Sequence, residues 1–204
     1  MEKLEGIKAR LKALLLWVGG HKFITVFGIA GAWIVLEIVA LPFGDVRTLK
    51  ATNPTETAFM REDEGEAIAQ GKHFRKIQRW IAFSNVPKVA INAVIVSEDG
   101  TFWSHSGFDW FEFRESMERN LMEGRAARGA STITQQLVKN LYLSSSKNPL
   151  RKLKEWVLTW YVERTLSKQR ILELYLNVIE WGWGIYGIEA ASQQYFGKSA
   201  ALLS

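Results

Sequence analysis

The chain has 204 residues, 48% of them hydrophobic, which suits one globular domain with an additional segment. It contains no cysteine, which excludes disulfide bonds and thiolate metal sites and fits an oxidising compartment. The net charge of +5 favours anionic partners such as acidic lipids, phosphorylated substrates or nucleic acid, and the nine tryptophans favour a membrane surface.

An apolar stretch at 23–41 is predicted to be a transmembrane helix. It contains a single charge, Glu37, and a helix of this length spans roughly 28 Å, about the thickness of the hydrocarbon layer. Five basic residues precede it, which places the N-terminus in the cytoplasm and everything after Leu41 outside. A cleaved signal peptide is the alternative, but the stretch is long for a signal core and no small-x-small cleavage site follows.

Three further regions are predicted from composition. Residues 1–22 form a cytoplasmic segment, within which 4–18 is predicted to be an amphipathic helix on the inner leaflet. Residues 42–66, which contain two prolines, are predicted to be a polar linker. Residues 67–204 are predicted to be the globular domain, whose C-terminal end is expected to be truncated because the sequence stops within a pattern.

The globular domain is predicted to be mainly α-helical, because apolar residues recur at spacings of three and four. The predicted helices are 131–143, 150–166, 168–178 and 185–196, the last ended by Gly197. The segment 89–96 suits either a strand or a buried helix, since it is rich in β-branched residues.

Two adjacent carboxylates, Glu98 and Asp99, end an apolar run and precede a group of aromatic residues. A carboxylate at the edge of a dry segment suits general acid or base chemistry, and an ordinary solvated helix end is the alternative. His105 has no second histidine or cysteine at a metal-ligand spacing, so no metal site is predicted.

A basic, glycine-containing loop leads into the predicted helix at 131–143. Thr132 and Gln135 have the spacing of a capping box. The polar residues of this helix at spacings of four are Gln135, Gln136, Lys139 and Asn140. The start of such a helix attracts phosphate, and the side-chain amides of Gln135, Gln136 and Asn140 suit sugar hydroxyls. The alternative is a solvated amphipathic helix.

Arg151, Lys152 and Glu155 share one face of the next predicted helix, where the alternative is a surface ion-pair cluster. The segments 168–177 and 180–187 are interpreted as structural, with Tyr175 among the core residues.

Together these segments resemble the five ordered motifs of glycosyltransferase family 51, the peptidoglycan glycosyltransferases. The matches are E-D-x-x-F-x-x-H-x-G at 98–107, G-x-S-T-I-T-Q-Q-L-x-K-N at 129–140, R-K-x-x-E at 151–155, I-L-E-x-Y-L-N at 171–177 and the fifth motif at 184–198. The resemblance covers about 67–204, and the Glu-Trp-Gly-x-Gly signature and short anchor are similar to the monofunctional biosynthetic members.

The resemblance implies a lysozyme-like, two-lobed helical domain preceded by one transmembrane helix. It also implies a membrane-facing surface, and the alternative for these apolar residues is plain core. The residues concerned are Phe108, Trp110, Phe111, Phe113, Met117 and Leu121.

The implied reaction is polymerisation of lipid II into β-1,4-linked glycan strands, with inversion and release of undecaprenyl pyrophosphate. Glu98 would be the general base, and Glu155 would orient the cations, bind a divalent ion or assist the leaving group. The implied substrate-binding residues are Asp99, Phe102, His105, Ser131, Thr132, Gln135, Gln136, Lys139, Asn140, Arg151 and Lys152.

The resemblance implies no required cofactor and allows stimulation by Mg²⁺ or Mn²⁺. The expected partners are lipid II, the growing lipid-linked glycan chain, membrane lipids and division or elongation proteins, whereas nucleic acid is not expected. The expected location is the inner membrane, with one span, a cytoplasmic N-terminus and a periplasmic catalytic domain. The alternative function is a lysozyme-like lytic enzyme acting on finished peptidoglycan, which would use a glutamate as an acid and need no cation cluster.

Overall fold

The computed structural model describes residues 20–124, 131–145 and 148–204, so the predicted amphipathic helix at 4–18 lies outside the described residues. The chain divides into two compact units, one ending at Leu41 and the other spanning Pro42–Ser204.

The first unit contains one apolar helix, α1 (Lys22–Val39), with no buried residue. Apolar side chains such as Phe23, Phe27 and Val39 are largely exposed along it. An 18-residue helix is about 27 Å long, so α1 is long and apolar enough to cross a membrane by length and composition. The helix therefore suits a single-pass membrane anchor.

The second unit is mostly helical, which confirms the predicted fold class. Its helices are α2 (Phe43–Thr48), α3 (Ala58–Ala69), α4 (Lys88–Glu98), α5 (Trp110–Glu123), α6 (Ile133–Tyr142), α7 (Pro149–Thr165), α8 (Lys168–Val178) and α9 (Ile188–Phe196). The ambiguous segment 89–96 is a helix, and the four later predicted helices are present with ends that differ by up to three residues.

Short-range sequence signals set the ends of several helices. Thr132 and Gln135 form the predicted capping box at the start of α6. Asn148 caps α7, whose first residue is proline, and Ser167 caps α8. Gly197 has φ 65° and ends α9, as predicted.

Helix α6 lies at the centre of the second unit, packed against α3, α7 and α8. Its residues Ile133, Leu137 and Val138 are fully buried. Each buried aliphatic side chain contributes about 1.5–3 kcal/mol relative to an exposed one. This packing fixes α6, which carries most of the predicted polar residues, against its neighbours.

Three short strands form a sheet that the sequence analysis does not predict. The strands are β1 (Ile77–Gln78), β2 (Glu180–Gly182) and β3 (Ile185–Tyr186), in the order β1-β3-β2. Strand β3 pairs parallel to β1 and antiparallel to β2. Segments of two or three residues are too short to show the alternation that identifies a strand.

Gly187 explains why α9 begins at Ile188 rather than at the predicted residue 185. Its φ is 84°, and an added Cβ would lie 2.6 Å from the carbonyl oxygen of Asn177. Its NH also donates to the carbonyl of Ile179 at 2.9 Å. The backbone is thus held in a conformation that favours glycine before the helix begins.

The segment 42–66, predicted to be a polar linker, is instead part of the second unit. Val46 and Met60 are buried within that unit. The guanidinium of Arg170 donates to the carbonyls of Leu49 and Thr52, both at 2.8 Å. These bonds and the buried side chains fix a segment whose composition alone suggests a linker.

We expect Gly187→Ala to lower the free energy of unfolding by about 2–4 kcal/mol, because the new Cβ meets backbone in a strained conformation. The matched control is Gly197→Ala, which also has positive φ but has open space around its Cβ position, and should lose only about 1–2 kcal/mol. Thermal unfolding of both variants in detergent measures the difference, and equal losses would contradict the steric explanation.

Candidate functional site

Glu98, the last residue of α4, is exposed between two depressions in the surface of the second unit. Glu98 and Gln136 line both depressions. The Lys139 depression is further lined by Phe59, Lys139, Asn140, Tyr175, Glu180 and Trp181, among others. The Ser131 depression is further lined by Asp99, Thr101, Asp109, Glu112, Ser131 and Thr132, among others.

Asp99 differs from its neighbour Glu98, because its carboxylate is buried and both of its oxygens are hydrogen-bonded. His105 Nε2 lies 2.8 Å from one carboxylate oxygen, and the backbone NH of Ile133 donates to the other at 2.9 Å. Since His105 Nδ1 accepts from the NH of Gly107 at 3.1 Å, Nε2 carries the proton donated to Asp99. Asp99 therefore fixes the segment after α4 to the first turn of α6.

Three other residues implied to bind substrate also make contacts within the protein: Thr132, Gln135 and Phe102. The hydroxyl of Thr132 donates to the carbonyl of Gly107 at 2.8 Å, and Gln135 Oε1 accepts from the NH of Thr132 at 3.0 Å. The ring of Phe102 is fully buried, and the ammonium of Lys168 lies 4.3 Å from its centre. An aromatic side chain in a turn contributes more free energy by packing into the core than by facing water.

The side-chain amide of Gln136 is engaged by the protein itself. Its Nε2 donates to Glu98 Oε2 at 3.0 Å and lies 3.5 Å from the carbonyl oxygen of Ser131. Its Oε1 accepts from the hydroxyl of Tyr175 at 3.0 Å. Gln136 is thus aimed at Glu98, whereas Ser131, predicted to bind the same sugars, is exposed.

Lys139 is the predicted cation that the structure brings beside Glu98. Its ammonium lies 5.0 Å from the centre of the Phe59 ring, a cation–π contact, and forms no ion pair with the residues described here. Asn140 lines the same depression, and its side chain donates to the carbonyl of Gln136 at 2.9 Å.

Arg151 and Lys152 line depressions other than the two that Glu98 lines. Both pair with Glu155, at 3.3 Å and 2.5 Å, and Glu155 is only 2% exposed. Arg151 lies beside Asn148, and Lys152 lies in a mainly aromatic pocket that also contains Ser131. Glu155 is placed to orient the two cations, one of the three roles implied for it.

Ligand atoms of Asp99, His105 and Asp109 lie within 4.8 Å of one another. All three side chains are nevertheless occupied by hydrogen bonds, since Asp109 accepts from the NH of Glu112 at 2.8 Å and from the hydroxyl of Thr101. Burial acts to raise the pKa of Asp109, but these hydrogen bonds prevail and lower it. The arrangement is explained without a bound metal ion.

The aromatic and acidic residues of the Lys139 depression that the sequence does not predict as site residues are Phe59, Tyr175, Glu180 and Trp181. Tyr175 is 3% exposed, so its helical spacing correctly indicates core, but its hydroxyl reaches Gln136. Burial, and then the charge of Asp63, raise the pKa of Glu180. The polar end of a tyrosine within an apolar pattern is the one sequence signal that could have identified Tyr175.

The apolar residues at 108–121 do not form core, which excludes the alternative considered from sequence. Trp110, Phe111 and Leu121 are 62–77% exposed along α5, and Phe113 and Met117 are exposed beside them. A contiguous apolar surface of this kind is typical of contact with a membrane or another apolar partner.

Comparison with known proteins identifies similar chains. The sequence model of the Transglycosylase family matches residues 64–204. A biosynthetic peptidoglycan transglycosylase from Cupriavidus metallidurans is 43% identical over 175 residues, which cover 84% of this chain and 75% of that protein. The corresponding protein of Laribacter hongkongensis is 39% identical over 182 residues, with 84% and 80% covered. That of Thiobacillus denitrificans is 47% identical over 154 residues, with 74% and 66% covered.

We expect the two neighbouring carboxylates to differ in their effect on stability. Asp99→Ala should lower the free energy of unfolding by about 2–4 kcal/mol, because His105 and the NH of Ile133 lose their buried acceptor. Glu98→Gln should change it by no more than about 0.5 kcal/mol, because that side chain is exposed. Denaturant unfolding in detergent tests both, and an unchanged Asp99→Ala protein would contradict the scaffold role.

Proposed function

Because the chain belongs to the family of biosynthetic peptidoglycan transglycosylases, we propose that it polymerises lipid II into β-1,4-linked glycan strands and releases undecaprenyl pyrophosphate. Membership confirms the family resemblance, the lysozyme-like helical fold and a glycosyltransferase role in cell-wall biosynthesis. The observation that carries the finer proposal is an exposed carboxylate, Glu98, between two depressions, of which one is lined by Lys139 and the other, among the described residues, by no lysine.

Glu98 would act as the general base. Its Oε2 accepts from Gln136, whereas Oε1 makes no hydrogen bond within the described part of the chain. Oε1 is therefore available to take the proton of the acceptor's 4-hydroxyl. The hydroxyl oxygen then attacks the anomeric carbon of the donor from the face opposite the pyrophosphate, which inverts that carbon.

The charges around Glu98 support a proposed assignment of one substrate to each depression. Asp109 and Glu112 in the Ser131 depression would repel a departing pyrophosphate, whereas Lys139 in the other would neutralise it. The lipid-linked donor strand would therefore occupy the Lys139 depression and the lipid II acceptor the Ser131 depression. Arg151 and Lys152, oriented by Glu155, would attract the diphosphate groups nearby, and Mg²⁺ or Mn²⁺ could assist there without being required.

The apolar surfaces suit a substrate that remains in a membrane. We propose that α1 anchors the chain in the inner membrane, with the basic N-terminus cytoplasmic and the second unit periplasmic. The exposed apolar face of α5 would contact the lipid surface from which lipid II enters.

Division or elongation proteins remain predicted partners. The lytic alternative has no comparable support, because the similar proteins are named as biosynthetic enzymes.

Replacing the base tests the proposed reaction directly. Glu98→Gln should reduce polymerisation of labelled lipid II by roughly 10²–10⁴-fold, because an amide cannot accept the proton. The matched control is Glu66→Gln, an exposed glutamate on α3 that bonds only Gln70 among the described residues and should retain wild-type activity. Product strands separated by gel electrophoresis give the rates, and near-normal polymerisation by Glu98→Gln would exclude the assignment.

Replacing the neighbouring cation tests how the leaving group is stabilised. Lys139→Ala should lower kcat by roughly 10–10³-fold, because the pyrophosphate loses a positive charge where its own negative charge develops. Lys139→Arg, which keeps that charge, should recover most of the rate. Steady-state kinetics on lipid II measure both, and equal losses in the two variants would argue that shape rather than charge matters at this position.

A further inference from the structure

Three side chains from three helices form one hydrogen-bonded row that ends at Glu98. The hydroxyl of Tyr175 on α8 lies 3.0 Å from Gln136 Oε1 on α6, and Gln136 Nε2 lies 3.0 Å from Glu98 Oε2 on α4. Tyr175 is almost fully buried, whereas Glu98 is exposed. The row therefore links the protein core to the Lys139 depression.

The direction of each hydrogen bond follows from the chemistry of the groups. An ionised carboxylate can only accept, so the NH₂ group of Gln136 must face Glu98 and its oxygen must face Tyr175. The hydroxyl of Tyr175 then donates. The second hydrogen of the NH₂ group points toward the carbonyl of Ser131, at 3.5 Å.

We propose that Tyr175 is a positioning residue that holds the Gln136 amide in the one orientation that donates to Glu98. The proposal rests on the proposed function, in which Glu98 is the base. A reversed amide would place an oxygen against the carboxylate, and two acceptors would then repel each other. Tyr175 opposes this reversal because its hydroxyl hydrogen would lose the Gln136 oxygen that accepts it.

Other charged groups also face Glu98. Lys139 on α6 and Glu180 on β2 lie on one side, and Asp99, Asp109 and Glu112 lie on the other. None of these is altered by a change at Tyr175, so an effect on Glu98 can be attributed to the row itself.

Tyr175→Phe removes only the hydroxyl. Gln136 Oε1 would then face an apolar ring that offers it no donor, and the amide would turn toward the Lys139 depression to regain a partner. Its NH₂ group would leave Glu98. The carboxylate would then lose the donor that orients its Oε2.

The kinetic test compares wild type, Tyr175→Phe and the control Tyr161→Phe. Tyr161 lies on α7, packs on Phe43 and accepts from Arg47, and it lines neither depression beside Glu98. Tyr175→Phe should lower kcat on lipid II by roughly 5–20-fold with little change in KM. Tyr161→Phe should match wild type in both respects.

A double-mutant cycle separates positioning from general damage. If Tyr175 acts through Gln136, then Tyr175→Phe should add almost nothing to the loss already caused by Gln136→Ala. Fully additive losses would overturn the proposal, because they would mean that Tyr175 affects the rate by another route.

A spectroscopic measurement decides the proposal independently of activity. In protein labelled with ¹³C at glutamate side-chain carboxyls, the Glu98 signal is assigned by its absence in Glu98→Gln. Its chemical shift should change in Tyr175→Phe, because the NH₂ donor leaves the carboxylate, and should stay that of wild type in Tyr161→Phe. An unchanged chemical shift in Tyr175→Phe would overturn the positioning role. If wild type made no polymer, the proposed function would fail, while this signal would still show whether Tyr175 acts on Glu98.

Discussion

The two hydrogen bonds of the buried Asp99 carboxylate hold the site together. They join His105, in the turn after α4, to the first turn of α6, so that Glu98 at the end of α4 meets Gln136 and Lys139 on α6. A carboxylate is well suited to this task, because helix N-terminal NH groups are unpaired donors and their dipoles favour negative charge. The groove therefore depends on a residue that does not itself need to touch a substrate.

The sequence predicts those parts of the fold that short-range signals determine. The capping box of Thr132 and Gln135 and the stop at Gly197 depend on neighbours within a few residues, and both are present. The sheet and the folded segment 42–66 depend on partners far along the chain, such as Arg170, which binds Leu49 across more than a hundred residues. Composition and periodicity contain no information on such pairs, so a linker was the natural interpretation of a polar, proline-containing stretch.

The same distinction explains which site residues could be predicted. Glu98 and Asp99 are alike in sequence, and only packing makes one exposed and the other buried. Helical spacing correctly groups Arg151 with Glu155, because both lie on α7, but it cannot say whether that face of α7 meets the groove beside Lys139. The spacing of Tyr175 predicts a core position, and its ring lies there. Its hydroxyl reaches Gln136 because the residue has an apolar body and a polar end.

Charge is distributed unequally on the two sides of Glu98, and this gives the proposed reaction a direction. The side with Asp109 and Glu112 is unfavourable for a pyrophosphate, whereas Lys139 favours one. Glu180 would weaken that preference if fully ionised, but burial and the nearby Asp63 raise its pKa and so oppose its negative charge. Among the described residues, Lys139 is the lysine that lines a depression beside Glu98, so in the proposed assignment it would stabilise the leaving group of a strand bound there. That strand would be the donor, and the incoming unit would be the acceptor.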